Sequence, residues 1–156
     1  MKAGTPKDMI PDFRDVLNEL ISADARFLVV GAHALSAHGV PRATVDLDVW
    51  VRPDAENARR VFEALAKFGA PLDALGVTMA DFINPDSVAQ FGLPPFRIDI
   101  LTSISGVTFD TAWEERVEGK IEGVRVPIIG LQSFIQNKRA SARKKDLADL
   151  ESLGIE

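Results

Sequence analysis

Three aspartates alternate with apolar residues in two short stretches of this chain. Asp46 and Asp48 lie in residues 44–51, TVDLDVWV, and Asp99 lies in residues 97–101, RIDIL. Successive side chains of a β-strand point to opposite faces, so the alternation predicts acids on one face and buried apolar residues on the other. Close carboxylates repel one another unless a proton or a cation lies between them. Because Mg²⁺ prefers carboxylate oxygens and substrate phosphates, the pattern predicts a two-metal site that transfers phosphoryl groups.

The apolar residues beside the acids predict that both strands are buried. Unpaired carboxylates on a buried strand are costly, so a compensating positive charge is expected. A divalent cation would supply it. Structural ion pairs with Arg42, Arg97 or Lys145 are the alternative, because ion-pair networks also hold acids in protein interiors. The residues expected on the buried face are Val45, Leu47, Val49, Ile98 and Ile100.

Gly31 and Ala32 follow an apolar segment, at the point where a helix is predicted to begin. The unpaired backbone N–H groups at a helix N-terminus carry partial positive charge and can bind phosphate. Gly31 permits a tight turn and the close approach of a ligand. The segment predicts a phosphate-binding turn, and an ordinary turn is the alternative.

Basic residues are concentrated near the end of the chain. The formal net charge is −5, which argues against broad, non-specific binding of nucleic acid, yet residues 138–145 hold five of the eighteen lysines and arginines. Such a patch can face phosphates even on an acidic protein. The alternative is a solvated helix face, which we expect for Lys144.

Hydrophobic spacing predicts a mixed α/β (or α+β) fold, in which helices flank a small mixed β-sheet, with residues 1–156 as one domain. The four prolines within residues 70–95 predict loops and short helices there, including residues 79–83. A single helical turn is predicted at residues 111–114. The predicted helices are 11–22, 32–38, 55–68, 131–139 and 143–153, and the predicted strands are 26–30, 45–51, 97–101, 117–121 and 124–129.

The composition also bears on the compartment. The chain contains no cysteine, which excludes disulfides and thiolate metal sites and suits a reducing environment. The first residues lack the apolar core of a signal peptide, and no run reaches membrane-spanning length. We therefore expect a cytoplasmic protein that does not associate with a membrane.

Two segments resemble the signature of the DNA polymerase β-like nucleotidyltransferase superfamily: FLVVGAHA, residues 27–34, and GVPRATVDLD, residues 39–48. In that superfamily a strand, a Gly-Gly or Gly-Ser turn and a helix precede a pair of acids, and a third acid lies two strands further on. The form Arg-x-Thr-x-Asp-x-Asp is especially similar to the abortive-infection type, found as toxins in bacterial toxin–antitoxin pairs. Residues 138–149 also resemble the basic helix that closes those proteins, so the resemblance covers about residues 12–153.

The resemblance implies a nucleotidyltransferase-like fold and a role for each acid. Asp46 and Asp48 would hold two Mg²⁺ ions, which Mn²⁺ can replace. Asp99 would help to hold one ion and would accept the proton of the attacking hydroxyl group. A nucleoside monophosphate would pass from a nucleoside triphosphate (NTP) to an acceptor that the sequence does not identify, RNA or protein among the candidates. An antitoxin-like protein is the implied partner.

The resemblance also implies how the nucleotide is bound. Gly31 and the amide of Ala32 would hold its terminal phosphates, while Lys138, Arg143 and Lys145 would neutralise phosphate charge. Ala32 departs from the family pattern, because its methyl group cannot donate a hydrogen bond as serine would and is bulkier than glycine. A catalytically weak or inactive nucleotide-binding or partner-binding domain on the same fold is therefore the second functional hypothesis.

Overall fold

The computed structural model describes residues 13–41, 46–93 and 96–155. The predicted strand start at Val45, the helix start at residue 11 and the motif residues Arg42 and Thr44 lie outside these ranges. The helices are α1 (Phe13–Ser22), α2 (Gly31–Ala37), α3 (Ala55–Phe68), α4 (Leu72–Leu75), α5 (Phe109–Glu114), α6 (Leu131–Ser141) and α7 (Lys144–Ser152), with a 3₁₀ turn at Met79–Phe82. The strands are β1 (Phe27–Val30), β2 (Leu47–Val51), β3 (Val88–Phe91), β4 (Ile98–Leu101), β5 (Val117–Ile121) and β6 (Val124–Ile128).

These six strands form one mixed sheet in the order β3-β4-β2-β1-β6-β5. Strand β2 lies near its centre, antiparallel to β1 and parallel to β4. The predicted hairpin of β5 and β6 closes through Glu122 and Gly123, whose φ angles are 51° and 80°. Positive φ at both central residues is typical of the tight turns that suit the twist of a hairpin. The prediction of a mixed α/β fold is confirmed.

The alternation in the acidic strands produces the predicted buried face. Leu47, Val49, Ile98 and Ile100 are fully buried. On β1, Val29 pairs with Val49 and is also fully buried, so the apolar face continues across the sheet. This core holds β2 and β4 in register and leaves their acids on the opposite face.

Helices α1 and α3 contact each other and the sheet. Phe13, Val16, Leu17 and Leu20 form the buried stripe of α1, at the spacing that predicted the helix. The predicted bounds of α3 are confirmed, and the side chain of Asp54 caps its N-terminus by accepting a hydrogen bond from the backbone of Asn57.

The prediction for residues 70–95 was wrong at one place. Val88–Phe91 is an edge strand paired antiparallel to β4. Alanine and glutamine, its two central residues, have low intrinsic strand preference, so the strand depends on pairing with β4. Strand β2 begins at Leu47, so Asp46 precedes the strand. Within the described part of the chain, no helix is long and apolar enough to cross a lipid bilayer.

Candidate active site

The acids meet where strands β2 and β4 run side by side. Asp48 and Asp99 are direct register partners, and Asp46 lies one residue before β2. Asp99 is only 8% exposed. Burial, together with the negative charges of Asp99 and Asp46, raises the pKa of Asp48 to about 6. The three carboxylates are therefore close enough to interact.

Arg97 lies between two of these acids. Its Nε and Nη2 atoms donate to the two carboxylate oxygens of Asp99, at 2.8 and 3.2 Å. Nη2 also lies 3.6 Å from an Oδ2 atom of Asp46, whose other oxygen accepts from the Arg97 backbone N–H at 3.2 Å. The ion pairs that were the structural alternative are thus present for Asp46 and Asp99.

Gly31 packs directly against Asp48. Its φ is +69°, and a Cβ atom at this position would lie 2.2 Å from Oδ2 of Asp48. Any side chain would therefore collide with the carboxylate and would also be strained in the left-handed region. The glycine brings the start of helix α2 against the acidic cluster, where a larger residue would fill the space.

An open cleft of about 360 Å³ lies beside Asp48 and Gly31. Its other wall is the turn at residues 103–106, which follows β4, together with the facing side of α6. Asn137 donates to the carbonyl of Ser105, and Gln136 donates to the carbonyl of Gly106, at 3.0 and 2.8 Å. The residues that line the cleft are Val30, Gly31, Asp48, Leu101, Ser103, Ile104, Ser105, Asn137, Lys138, Ser141 and Arg143.

Lys138 lines the cleft but is mostly buried. Its Nζ atom lies 3.2 Å from carboxylate oxygens of both Asp146 and Asp149. Burial opposes ionisation of Asp146, yet hydrogen bonds from Arg143, Ser141 and Lys138 hold the pKa of that carboxyl below its usual range. This network joins α6 to α7, so the charge of Lys138 is shared with two acids inside the protein.

Arg143 and Lys145 are exposed at the start of α7. The guanidinium of Arg143 donates to Asp146 at 2.8 Å and lines the cleft, with its side chain 61% exposed. Lys145 acts electrostatically on Asp48 and opposes the rise of its pKa. Lys144 is exposed, as predicted for a solvated position. The structure therefore places Arg143 at the cleft and Lys145 within electrostatic range of Asp48.

The donor set fits a divalent cation in its chemistry. Three carboxylates interact with one another, and Asp48 lines the open cleft. In residues 13–41, 46–93 and 96–155, however, no three His, Cys, Asp or Glu side chains are arranged to hold a metal ion. Arg97 instead pairs with two of the three acids, Asp46 and Asp99.

The opposite wall of the cleft was not predicted from the sequence. Ser103, Ser105, Asn137 and Ser141 line it, and none of them was a candidate. The position of the first two, directly after the strand that carries Asp99, was the available signal. Of the residues singled out from the sequence, Gly31, Asp48, Lys138 and Arg143 line the cleft.

Comparison with known proteins shows which solved structures share this fold. No family model matches the chain, and no curated protein matches its sequence. The structure is similar to that of TM1012 from Thermotoga maritima, a candidate nucleotidyltransferase, with a TM-score of 0.56, 14% identity and 90% of this chain and 87% of that chain covered. It is also similar to the lincosamide antibiotic adenylyltransferase LnuA, bound to lincomycin, with a TM-score of 0.52, 13% identity and coverages of 93% and 98%. The fold is nucleotidyltransferase-like, as the resemblance implied.

Proposed function

We propose that this protein is an Mg²⁺-dependent nucleotidyltransferase, which moves a nucleoside monophosphate from an NTP to an acceptor. One observation carries the proposal: Asp46, Asp48 and Asp99 come together beside Gly31 at the edge of an open cleft. Burial and two like charges raise the pKa of Asp48, and perturbed pKa values of this kind cluster at functional sites. The fold that the chain shares with TM1012 and LnuA adds support.

In this proposal each acid has a stated task. Mg²⁺ held by Asp46, Asp48 and Asp99 would supply positive charge to the phosphates of the nucleotide. The acceptor oxygen bonds to the α-phosphorus, the bond to the bridging oxygen breaks, and pyrophosphate leaves. The proton of the acceptor hydroxyl passes to the carboxylate of Asp99.

The positive charges of the cleft would hold the triphosphate. Arg143 is oriented by Asp146 and exposed to the cleft, and Lys145 lies within electrostatic range of Asp48. We assign most of the triphosphate binding to Arg143 and Lys145, because Lys138 shares its charge with two buried acids. Gly31 and the amide of Ala32 would contact the terminal phosphates.

The biological setting is also part of the proposal. The motif around Asp46 is similar to that of abortive-infection toxins, so we place the protein in the cytoplasm, in a bacterial toxin–antitoxin or defence pair with an antitoxin-like partner. The acceptor would then be RNA or protein. Ala32 favours a second candidate, a nucleotide-binding or partner-binding domain with weak or no catalysis, because its methyl group offers no donor to a phosphate.

A labelling experiment separates the two candidates. The protein is incubated with Mg²⁺ and each of the four NTPs carrying a labelled α-phosphate, with cellular RNA and protein as acceptors. Transfer of label that requires Mg²⁺ and is lost in Asp99→Asn supports the enzyme. Binding of the NTP by calorimetry without any transfer supports the binding domain, and the absence of both contradicts the proposal.

A further inference from the structure

Strand β3 lies beside the acids on the same face of the sheet. Gln90 is the register partner of Asp99, and Asp99 is the register partner of Asp48 on the next strand. Register partners on neighbouring strands point to the same face. Val88 pairs with Leu101 and shares this face, and both Val88 and Gln90 are exposed while the residues that alternate with them are buried. The face that carries the acids therefore continues past Asp99 onto an exposed edge.

The order of the strands gives the direction from which an acceptor approaches. Val30, directly before Gly31, pairs with Asp48, so Gly31 lies on the side of Asp48 away from Asp99. In the proposed function Gly31 contacts the terminal phosphates of the nucleotide. An in-line displacement places the attacking and leaving oxygens on opposite sides of the phosphorus. Because pyrophosphate leaves toward Gly31, the acceptor hydroxyl approaches Asp99 from β3.

The segment that contains β3 carries no positive charge. Residues 68–96 hold three aspartates and no lysine, arginine or histidine. The next cation along the chain, Arg97, is paired with Asp46 and Asp99. Proteins hold nucleic acids mainly through lysine and arginine contacts to the phosphates, so this edge offers little to an RNA acceptor. Its charge suits a basic partner instead.

The same edge has the features of a surface that binds a polypeptide. In the described part of the chain β3 pairs only with β4, which leaves the backbone along its other side without a strand partner. An extended peptide can add to such an edge through main-chain hydrogen bonds. Val88, Leu93 and Phe96 add exposed apolar side chains, and the Phe96 backbone N–H donates to the Leu93 carbonyl at 2.9 Å. Together with Gln90, these three residues form what we call the β3 surface.

We propose that the β3 surface receives the acceptor, and that the acceptor is a basic polypeptide segment which presents a hydroxyl group. This inference rests on the proposed function, and it favours protein over RNA as the acceptor. The hydroxyl oxygen bonds to the α-phosphorus of the NTP, the bond to the bridging oxygen breaks, and pyrophosphate leaves. The hydroxyl proton passes to Asp99, whose register partner Gln90 lies on the side from which the acceptor approaches.

Binding of polymers of stated composition tests the charge preference. Fluorescence anisotropy compares the affinity of the full-length protein for a lysine–tyrosine copolymer, a glutamate–tyrosine copolymer and polyuridylate. We expect the lysine–tyrosine copolymer to bind at least about tenfold more tightly than the other two. Equal or tighter binding of polyuridylate would overturn the inference.

A matched pair of variants tests whether the copolymer binds at β3. Val88 and Val117 are valines on the two edge strands of the sheet, 54% and 41% exposed. Val88→Lys places a positive charge on the β3 surface, so the lysine–tyrosine copolymer should bind at least about fivefold more weakly. Val117→Lys makes the same change in net charge at the other edge and should bind as the wild type does. Equal effects of the two substitutions would overturn the inference.

Label transfer separates this inference from the proposed function. With an NTP labelled at the α-phosphate, Mg²⁺, and cellular RNA and protein, we expect label on protein, lost in Val88→Lys and kept in Val117→Lys. Label on RNA alone would overturn the inference and leave the proposed function intact. Neither NTP binding nor transfer in the wild type would contradict the proposed function and this inference with it. If thermal melting shows that Val88→Lys does not fold, Leu93→Ser replaces it with the same expected losses, because Leu93 is 72% exposed and contributes little to packing.

Discussion

Asp48 and Asp99 lie opposite each other on the parallel strands β2 and β4, and their carboxyl groups interact electrostatically. Burial and the like charges of Asp99 and Asp46 raise the pKa of Asp48 from 3.8 to about 6. Between these pH values the folded protein binds more protons than the unfolded chain. The free energy of unfolding therefore falls as the pH rises through this window.

We predict that Asp48→Asn stabilises the protein above pH 7. The asparagine cannot ionise. The variant therefore keeps the free energy of unfolding that the wild type loses when Asp48 ionises, which is at most about 3 kcal/mol. At pH 4 the two proteins should be nearly equal in stability, because Asp48 is then protonated when folded. Urea unfolding at a series of pH values from 4 to 8 measures the difference. Asp73→Asn, at an exposed helical position, should show no such trend, and a variant less stable than the wild type at pH 8 would contradict the prediction.

We predict that Gly31→Ala destabilises the fold and weakens NTP binding. Its Cβ would collide with Oδ2 of Asp48 and would sit at a φ of +69°. Gly76 has the same φ of +69° with nothing near its Cβ position, so Gly76→Ala carries the backbone strain alone. We expect about 1 kcal/mol for Gly76→Ala and about 2–3 kcal/mol for Gly31→Ala, from denaturant unfolding.

A second background isolates the collision itself. Asp48→Ala removes the carboxylate, so Gly31→Ala should cost no more in that background than Gly76→Ala does. Gly31→Ala and Asp48→Ala alter two residues in contact, and a double-mutant cycle measures the coupling energy between them. Equal costs for Gly31→Ala in both backgrounds would show that the close approach of Gly31 to Asp48 has no energetic consequence.

The alternation of acids and apolar residues was enough to predict strands β2 and β4 and the buried face of each. A period of two is a local property, and the buried residues Leu47, Val49, Ile98 and Ile100 display it within each strand. Arg97 lies two residues before Asp99, so the same period places both on one face. From the sequence this pair is only an alternative to a metal site, because the local pattern does not reveal how far the guanidinium reaches.

The other wall of the cleft depends on contacts between distant residues. Gly106 packs so closely on α6 that a Cβ atom would lie 2.5 Å from Cβ of Ala140. Asn137 and Gln136 then bind the backbone of the same turn. Strand β3 likewise depends on its pairing with β4. Neither feature leaves a periodic signal in the sequence, so hydrophobic spacing could not predict them.

We predict that Asp46→Asn abolishes Mg²⁺-dependent NTP binding without a large loss of stability. Asp46 lies outside β2 and its side chain is 33% exposed, so its removal disturbs little packing. Calorimetry should show that Mg²⁺ no longer tightens NTP binding, so that the affinity in Mg²⁺ falls at least about tenfold, or 1.4 kcal/mol. Asp110→Asn, an exposed acid paired with Arg52, is the control and should bind normally. An unfolded Asp46→Asn would indicate that the acids are structural.

We predict that Lys138→Met destabilises the protein more than it weakens NTP binding. Lys138 is the common partner of Asp146 and Asp149, both buried, and its removal leaves two acids without that charge. Breaking a buried ion pair on one side costs about 3–5 kcal/mol. Thermal and urea unfolding at pH 7 measure this, with the exposed Lys144→Met as a control that should change stability by less than about 0.5 kcal/mol. If Lys138→Met instead kept its stability and lost NTP affinity, the prediction would be wrong. The lysine would then act on the phosphates directly, and the packing of α6 against α7 would not depend on its ion pairs.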